Sequence, residues 1–455
     1  LFSTFPMPPV FSPGDSWRKY RWHWKCAEKT VLTEKLIHYF RQIPDYRCGR
    51  EKRHDLGEML VCVTLGFLCG RTTIRRSLKW CKTHLEELRK HMNLKYGIAS
   101  PSTITRMLNG IDEELALYAF MEWIGEIVES RNTHLAIDGK ALCGATEKTK
   151  GETTPMLLNV VETVRGLILA QLPVDSKTNE ITAIPELLKL LDISGSIVTI
   201  DAVGTQTAIM EQIHEQGGHF VLTVKKNQPE AYEEIHTFMD KLGAEDLKRK
   251  KGEAMDPGMK EFLEKYEEIS QMEKNRDRNE YRTCQICKDA SNLTKSQKEW
   301  PHVQSIGRIK QVRIPKEKDS QGNDVTPSKE EFLEKGSRRI PAPSAGEGAG
   351  KDVQCTALIS DLILTAEELG SIKRMHWSIE NRLHHVLDDT FREDRSPAKK
   401  SRNNLSLIRK YAYNILRLAM YETGLANIMT EMMDCFCDNA ALRERYVFQG
   451  IASLY

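Results

Sequence analysis

Two short apolar runs that each end in an aspartate constrain the fold of this 455-residue chain more than any other feature. His-Leu-Ala-Ile leads into Asp138, and Ser-Ile-Val-Thr-Ile leads into Asp201. Such runs are typical of buried strands, where a carboxylate is costly unless it is paired or holds a metal. Because ligands commonly bind where the strands of α/β sheets end, we expect a functional site there. Each aspartate alone could equally be a turn former or a helix cap.

The surrounding pattern predicts an α/β fold, with a mixed sheet flanked by helices. Only Arg165 and Gly166 separate two β-rich runs, which indicates a tight hairpin. The predicted elements are strands at 134–138, 156–164 and 167–174, a helix at 183–191, a strand at 196–203, a helix at 205–216 and a strand at 219–224.

The chain before this sheet has a helical pattern. Residues 54–70 are almost entirely apolar and predict a buried helix that Gly70 ends. Thr72 or Thr73 is the predicted cap of the next helix, and Ser102 that of a later one. The stretch from Arg71 to Arg106 contains nine basic residues and only two acidic ones. Such an excess is typical of phosphate binding and equally of a solvated helix face.

A helix predicted from Ala366 to about Asp389 carries ionisable residues at every fourth position: His376, Glu380, His384 and Asp388. This spacing places all four on one face of the helix. Beside an apolar stripe, such a face suits a helix that lies on a sheet with its polar edge in a cleft. The alternative is a polar face that is simply in water.

Composition limits the class of protein without identifying it. Lys plus Arg is 66 and Asp plus Glu is 64, so the net charge of +2 says little about nucleic acid. Eleven cysteines with few close pairs favour reduced, intracellular thiols over a disulfide framework. We expect no membrane span and no signal peptide, because no long apolar run is present. A cytoplasmic protein is the resulting expectation.

Three long motifs carry a family resemblance: HLAIDGKALCG, the run from VDSKTNEITAIPELL through SIVTIDAVGTQTA to VLTVKKNQ, and HWSIENRLHHVLDDTFREDRS. Together with PSTITRMLNGID, they closely resemble insertion-sequence transposases of the H-repeat-associated type. The resemblance runs from about residue 50 to 420. It implies a DDE enzyme with a ribonuclease H-like mixed sheet flanked by helices, a helical N-terminal domain and a strand-containing insertion.

The resemblance and the patterns together predict six segments. They are a tail at 1–30, a helical DNA-binding domain at 31–130, the first part of the catalytic core at 131–229, an insertion domain at 230–354 with a flexible loop at 318–350, the second part of the core at 355–425, and a C-terminal tail at 426–455.

The resemblance also implies the chemistry. Asp138 and Asp201 match the two catalytic aspartates of the family, and Glu380 matches its helical glutamate. They are expected to hold two Mg²⁺ ions, which Mn²⁺ can replace, because Mg²⁺ prefers carboxylate oxygens. The implied activity is cleavage of DNA and strand transfer at the ends of an insertion sequence, since two divalent ions can assist both the attacking and the leaving oxygen.

Basic and aromatic residues near these positions are candidate DNA contacts, although each alone could be an ordinary surface or core residue. The set is Lys140, Lys225, Lys226, Arg374, His376, Trp377 and Arg382. The stretch from 373 to 417 contains eleven basic residues and five acidic ones, as DNA binding beside the site would require. The expected partner is double-stranded DNA, bound by a homo-oligomer, and the expected location is the nucleoid.

Three alternatives stay open. A transposase-derived DNA-binding protein could retain the carboxylates and be catalytically silent. A metallohydrolase could bind zinc through His376, Glu380 and His384, and a ribonuclease H-like nuclease could act on RNA. Structural zinc at Cys284 and Cys287 is disfavoured, because no second pair follows and a strand would turn the two cysteines to opposite faces.

Overall fold

The computed structural model describes most of the chain outside its first 33 residues. Described are residues 34–49, 52–142, 154–174, 180–274, 278–293, 300–315, 317–318, 324–325, 353–452 and 454. The tail predicted at 1–30 and nearly all of the loop predicted at 318–350 lie outside them. None of the helices in this part of the chain combines the length and the apolar character that crossing a bilayer needs.

Five strands form the predicted mixed sheet, in the order β3-β2-β1-β4-β5. The elements of this part are β1 (His134–Ala141), β2 (Met156–Glu162), β3 (Leu167–Val174), α7 (Glu180–Lys189), β4 (Ile197–Ile200), α8 (Thr207–Glu215) and β5 (His219–Val224). Strand β1 runs antiparallel to β2 and parallel to β4. Consecutive antiparallel strands followed by parallel strands through crossover helices make the ribonuclease H-like fold that the resemblance implies.

The longer strands of the segment predicted as an insertion extend this same sheet. The elements of that segment are α9 (Pro229–Lys251), α10 (Lys260–Glu264), β6 (Tyr266–Lys274), β7 (Arg278–Cys287), β8 (Ser305–Pro315), and β9 (Glu317–Lys318) with β10 (Asp324–Val325), which pair only with each other. The next strand, β11 (Val353–Ser360), lies mostly in the predicted second part of the core. Strand β11 pairs antiparallel with both β5 and β8, so the sheet continues as β5-β11-β8-β7-β6 to nine strands. Cys284 and Cys287 point into two separate hydrophobic clusters, as opposite strand faces require.

Before the sheet, the described residues form the helices α1 (Leu36–Gln42), α2 (Leu56–Leu68), α3 (Ile74–Thr83), α4 (Leu85–Leu88), α5 (Pro101–Gly110) and α6 (Glu113–Gly125). Every residue of α2 is buried, as its apolar sequence predicts. Thr73 caps α3 by accepting a hydrogen bond from the Arg76 amide. The predicted cap at Ser102 is wrong, because Ser100 caps α5. Pro101 takes the first helical position, where its lack of a backbone N–H costs no hydrogen bond.

The helices after β11 are α12 (Ala366–Ile379), α13 (Arg402–Thr423), α14 (Met429–Asp438) and α15 (Ala440–Arg443). Past α12 the chain continues as π-helical turns over Glu380–His384 and Val386–Thr390. The segment predicted as a C-terminal tail is helical in part, since α14 buries Met429, Met432, Met433 and Phe436. Their spacing of three, four and seven residues is a helical period, carried mostly by methionines.

Helix α13 joins the N-terminal helices to the sheet. Its Tyr411 ring packs on Phe120 and Trp123 of α6, with centroid distances of 4.8 Å for both pairs. The Asn404 side-chain amide donates to two carbonyls near the end of α5. Asn414 exchanges two hydrogen bonds with the backbone of Ile168 on β3. A largely buried helix, whose asparagine side chains bond to both sides, therefore connects both halves of the molecule.

Close packing of α2 on α3 depends on a residue without a side chain. A Cβ atom built on Gly66 would lie 2.1 Å from the Ser77 Cβ, whereas one on Gly125 would meet nothing within 4 Å. We predict that Gly66→Ala lowers the free energy of unfolding by about 1–3 kcal/mol through overpacking. Gly125→Ala should leave it unchanged or slightly higher. Urea unfolding measures both, and equal midpoints for the two variants would contradict the packing described.

Candidate active site

Asp138 and Asp201 lie side by side on neighbouring parallel strands. Ile137 of β1 pairs with Ile200 of β4, and the two aspartates directly follow these paired residues in the sequence. Because side chains alternate along a strand, both carboxylates lie on the same sheet face as Thr199. The side chain of Asp138 is 26% exposed and that of Asp201 43%, so the pair stands at a solvent-accessible edge. The prediction that Asp138 ends its strand is wrong, because β1 continues to Ala141, whereas Asp201 does directly follow the last residue of β4.

Helix α12 lies across that face and is bonded to two strands. The ring Nδ1 of His376 is 3.0 Å from the Thr199 hydroxyl on β4. The Lys373 ammonium donates to the Thr223 hydroxyl on β5 over 2.8 Å. Glu380, one turn beyond His376, is exposed and begins the first π-helical turn. Such π-helical insertions are rare and occur frequently at functional sites.

The charge of Glu380 acts on the same groups as the charges of the two aspartates. Burial raises the pKa of Asp138 to about 6, and the negative charges of Asp201, Glu380 and Glu180 contribute to this rise. The buried ammonium of Lys373 interacts favourably with Asp138, Asp201 and Glu380, although burial lowers its pKa to about 8. The charges of the carboxylates on β1, after β4 and at the end of α12 thus influence one another at this part of the sheet.

Asp201 differs from Asp138 because a lysine neutralises it. Its burial alone would raise the pKa, but Lys225 donates a hydrogen bond of 2.6 Å and holds the pKa of Asp201 below its usual value. Two neighbouring aspartates therefore have pKa values shifted in opposite directions. Clusters of titratable groups with strongly shifted pKa values are typical of functional sites.

Glu180 is a fourth carboxylate that the sequence did not reveal. It begins α7, and a Cβ on Gly139 would lie 2.8 Å from its Oε1 atom, so its charge lies close enough to Asp138 to contribute to the raised pKa of that residue. Burial raises the pKa of Glu180, as does the charge of Asp201. Nothing in the spacing around Glu180 distinguishes it from an ordinary acidic residue at a helix start.

His384 and Lys140 occupy the other side of Asp138. The ring Nδ1 of His384 is 3.7 Å from the Asp138 carboxylate, and burial lowers the histidine pKa to about 4. Lys140 is only 4% exposed, and its ammonium contacts carboxylates that include Asp388. These contacts turn Lys140 towards the interior, which disfavours the phosphate contact predicted for it.

The other candidate DNA contacts have mixed environments. Lys225 and Lys226 are exposed, and Arg374 is exposed while it pairs with Glu273 over 2.9 Å. Trp377 and Arg382 are half-buried. His376 is 6% exposed and bonded to Thr199, so its position favours a structural role over contact with DNA.

The described residues contain no group of three or more His, Cys, Asp or Glu side chains that stands ready to bind a metal. This applies both to the three carboxylates and to the zinc set of His376, Glu380 and His384. The geometry therefore gives the zinc alternative no support, since His376 uses its Nδ1 atom on β4 and His384 lies against β1.

Comparison with known families identifies the class of protein. Residues 129–415 match the family model described as Transposase DDE domain, which spans more than half of the chain. The chain belongs to the DDE transposase family. Residues 37–124, which contain most of α1 to α6, match a second model described as DDE_Tnp_1-associated. The resemblance stated from the sequence motifs is thereby confirmed.

Related proteins come from Escherichia coli (strain K12). The "H repeat-associated putative transposase YhhI" is 28% identical over 388 residues, which cover 84% of this chain and 90% of the relative. The "H repeat-associated putative transposase YbfD" is 32% identical over 196 residues, or 43% of this chain and 78% of the relative.

A piggyBac transposase synaptic complex with hairpin DNA aligns over 89% of this chain and 77% of its own, with 10% identity. Its TM-score is 0.37, and at that score the likeness says nothing about the fold or the chemistry.

The mutual influence of the carboxylates can be measured directly. We predict that Glu380→Gln and Asp201→Asn each lower the Asp138 pKa from about 6, because each removes a negative neighbour. Carboxyl ¹³C NMR titration of the metal-free protein would report it. Folding stabilises the protonated form of Asp138. The contribution of Asp138 to the free energy of unfolding is therefore present in acid and lost as the pH rises through about 6. Asp389→Asn, an exposed change nearby, is the control. An unchanged pKa in Glu380→Gln would place Glu380 away from the pair.

Proposed function

We propose that this DDE transposase cleaves DNA and transfers strands at the ends of an insertion sequence, in a reaction that depends on Mg²⁺. Asp138, Asp201 and Glu380 are the residues proposed to hold the metal. The observation that carries the proposal is the position of Asp138 and Asp201 directly after the paired residues Ile137 and Ile200 of two parallel strands, within electrostatic reach of Glu380. The family resemblance implies the same three carboxylates, on two strands and one helix.

The chemistry of the donor set fits Mg²⁺. All three side chains offer carboxylate oxygens, which this hard cation prefers. The like charges that raise the pKa of Asp138 would be relieved by a divalent cation in their midst. Divalent ions, when bound, supply charge stabilisation at the attacking and leaving oxygens of the phosphate. Mn²⁺ would be expected to substitute, because it accepts the same oxygen ligands.

The residues of the chain have distinct tasks in this proposal. Lys225 holds Asp201 ionised before metal arrives, and its exposed ammonium can then turn to a DNA phosphate. Lys373 stays buried beneath the carboxylates and limits their repulsion. Lys226 and Arg374 are proposed to contact phosphates, since both are exposed, although Arg374 pairs with Glu273 on β6. Trp377 and Arg382 are the further proposed contacts with DNA.

The proposed partner is double-stranded DNA bound by a homo-oligomer, which would associate the protein with the nucleoid. A catalytically silent DNA-binding protein is the second candidate from the sequence. The grouped carboxylates favour the enzyme, because a silent protein would gain nothing from adjacent charges that repel each other. The RNA-directed alternative finds no specific support among the described contacts.

The carboxylates provide the first test of function. We predict that Asp138→Asn, Asp201→Asn and Glu380→Gln each abolish Mg²⁺-dependent nicking of a supercoiled plasmid that carries the DNA flanking this gene. Binding to the same DNA should change little, because the charges lost are negative. A gel assay of nicking and a mobility-shift assay measure the two properties. A variant that retains nicking would remove its residue from the site, and an inactive wild type would favour the silent protein.

The N-terminal helices provide the second test. Helix α3 exposes Arg75, Arg76 and Lys79 to solvent, which suits contact with phosphates. We predict that changing all three to alanine weakens DNA binding and lowers the slope of log K against log salt by about two to three, near one unit per lost contact. Fluorescence anisotropy at several salt concentrations measures this slope. An unchanged slope would mean that another surface binds the DNA.

A further inference from the structure

Lys140 lies two residues beyond Asp138 on β1, so both side chains are on the same face of the sheet. Its ammonium is bonded to Asp388 and lies 3.5 Å from Asp394 and 3.6 Å from Glu393. The side chain is 3% exposed. A cation this deep, with three carboxylates around it, is committed to the protein interior.

The three carboxylates all belong to the segment that Glu380 begins. Asp388 lies in the second π-helical turn, and Glu393 with Asp394 lies in the short 3₁₀ turn that follows at Glu393–Arg395. Lys140 therefore connects the strand that carries Asp138 with the part of the chain that follows Glu380. Lys140 and Asp388 are 248 residues apart in sequence.

Bonds to the sheet thus flank Glu380 on both sides. Before it, His376 is bonded to Thr199 on β4. After it, Asp388 is bonded to Lys140 on β1. The turns between these bonds are π-helical, and a π-helical insertion alters the direction in which the following side chains point. The position of Glu380 relative to Asp138 then depends on both attachments.

The charges of this cluster are balanced from a second side. Glu393 is buried, and Arg409 on α13 lies 3.7 Å from its carboxylate. Lys410, also buried, donates to Asn159, which pairs directly with Asp138 across β1 and β2. The segment after Glu380 is thereby held between the sheet and α13. Removal of the Lys140 charge would take a nearby positive charge from the buried Glu393 and the half-buried Asp388.

We propose that Lys140 is a positioning residue that fixes the Glu380 segment against the strand that bears Asp138. This role rests on the proposed function, and it replaces the DNA contact predicted from the sequence. Lys140 acts through Asp388, Glu393 and Asp394 and touches neither DNA nor metal. In this role Lys140 helps to set the distance between Asp138 and Glu380, two of the carboxylates proposed to hold the metal.

The test compares Lys140→Met with Arg443→Met. Arg443 is also a buried cation, paired with Glu87 over 2.8 Å in the C-terminal helices, and so controls for the loss of a buried ion pair elsewhere. We expect Lys140→Met to reduce Mg²⁺-dependent nicking of the flanking-DNA plasmid by about 100-fold, since small misplacements of reacting groups have effects of this size. Arg443→Met should retain nicking within a few-fold of the wild type.

Two further measurements separate positioning from other roles. Amide hydrogen exchange over 380–395 should accelerate in Lys140→Met and stay unchanged in Arg443→Met. The affinity for DNA and its salt slope should stay as in the wild type. A slope smaller by about one unit, with unchanged exchange, would overturn the proposal in favour of a phosphate contact. Nicking equal to that of Arg443→Met would reduce Lys140 to a stabilising residue.

Asp388→Asn guards against a Lys140→Met variant that does not fold, because it leaves Lys140 with Glu393 and Asp394. It should slow nicking, accelerate exchange over 380–395, and lose no more activity when combined with Lys140→Met than the stronger single change does. Additive losses would contradict a shared attachment. An inactive wild type would count against the proposed function alone, because hydrogen exchange still decides whether Lys140 holds the segment.

Discussion

The partial burial of two neighbouring carboxylates, Asp138 and Asp201, is the constraint that the groups around this part of the sheet offset. Parallel pairing of β1 with β4 makes the two residues neighbours, and partial burial increases the cost of their charges. Lys225 pairs with Asp201 from the solvent side, while Lys373 approaches from the helix above. The bonds that fix α12 on the sheet are therefore also part of the charge balance at the carboxylates.

Much of the fold could be predicted because its signals are local. An apolar run that ends in aspartate identifies a strand, although β1 continues past Asp138 to Ala141, and a four-residue period identifies one helix face. The face did turn towards the sheet: His376 contacts β4, His384 lies beside Asp138, and Asp388 is bonded to β1. The catalytic roles of these residues and the domain bounds stay predictions.

The remainder could not be predicted because it depends on pairing between distant parts of the chain. Lys140 has the sequence context of a phosphate contact, and only its partners far along the chain show that it is interior. Glu180 becomes notable solely because α7 starts beside Gly139. The strands of the predicted insertion were recognisable, but their attachment through β11 was not, since local sequence does not specify which sheet edge a strand joins.

The continuous nine-strand ladder has a mechanical consequence. Strands β5, β11 and β8 share uninterrupted backbone hydrogen bonds, so the inserted strands and the strands with Asp138 and Asp201 form a single stiff plate. A load applied at β6 by a bound macromolecule would be transmitted across this plate to the carboxylates, because each strand is bonded directly to the next. In this protein, a partner that bound the added strands would act on the same sheet that carries Asp138 and Asp201.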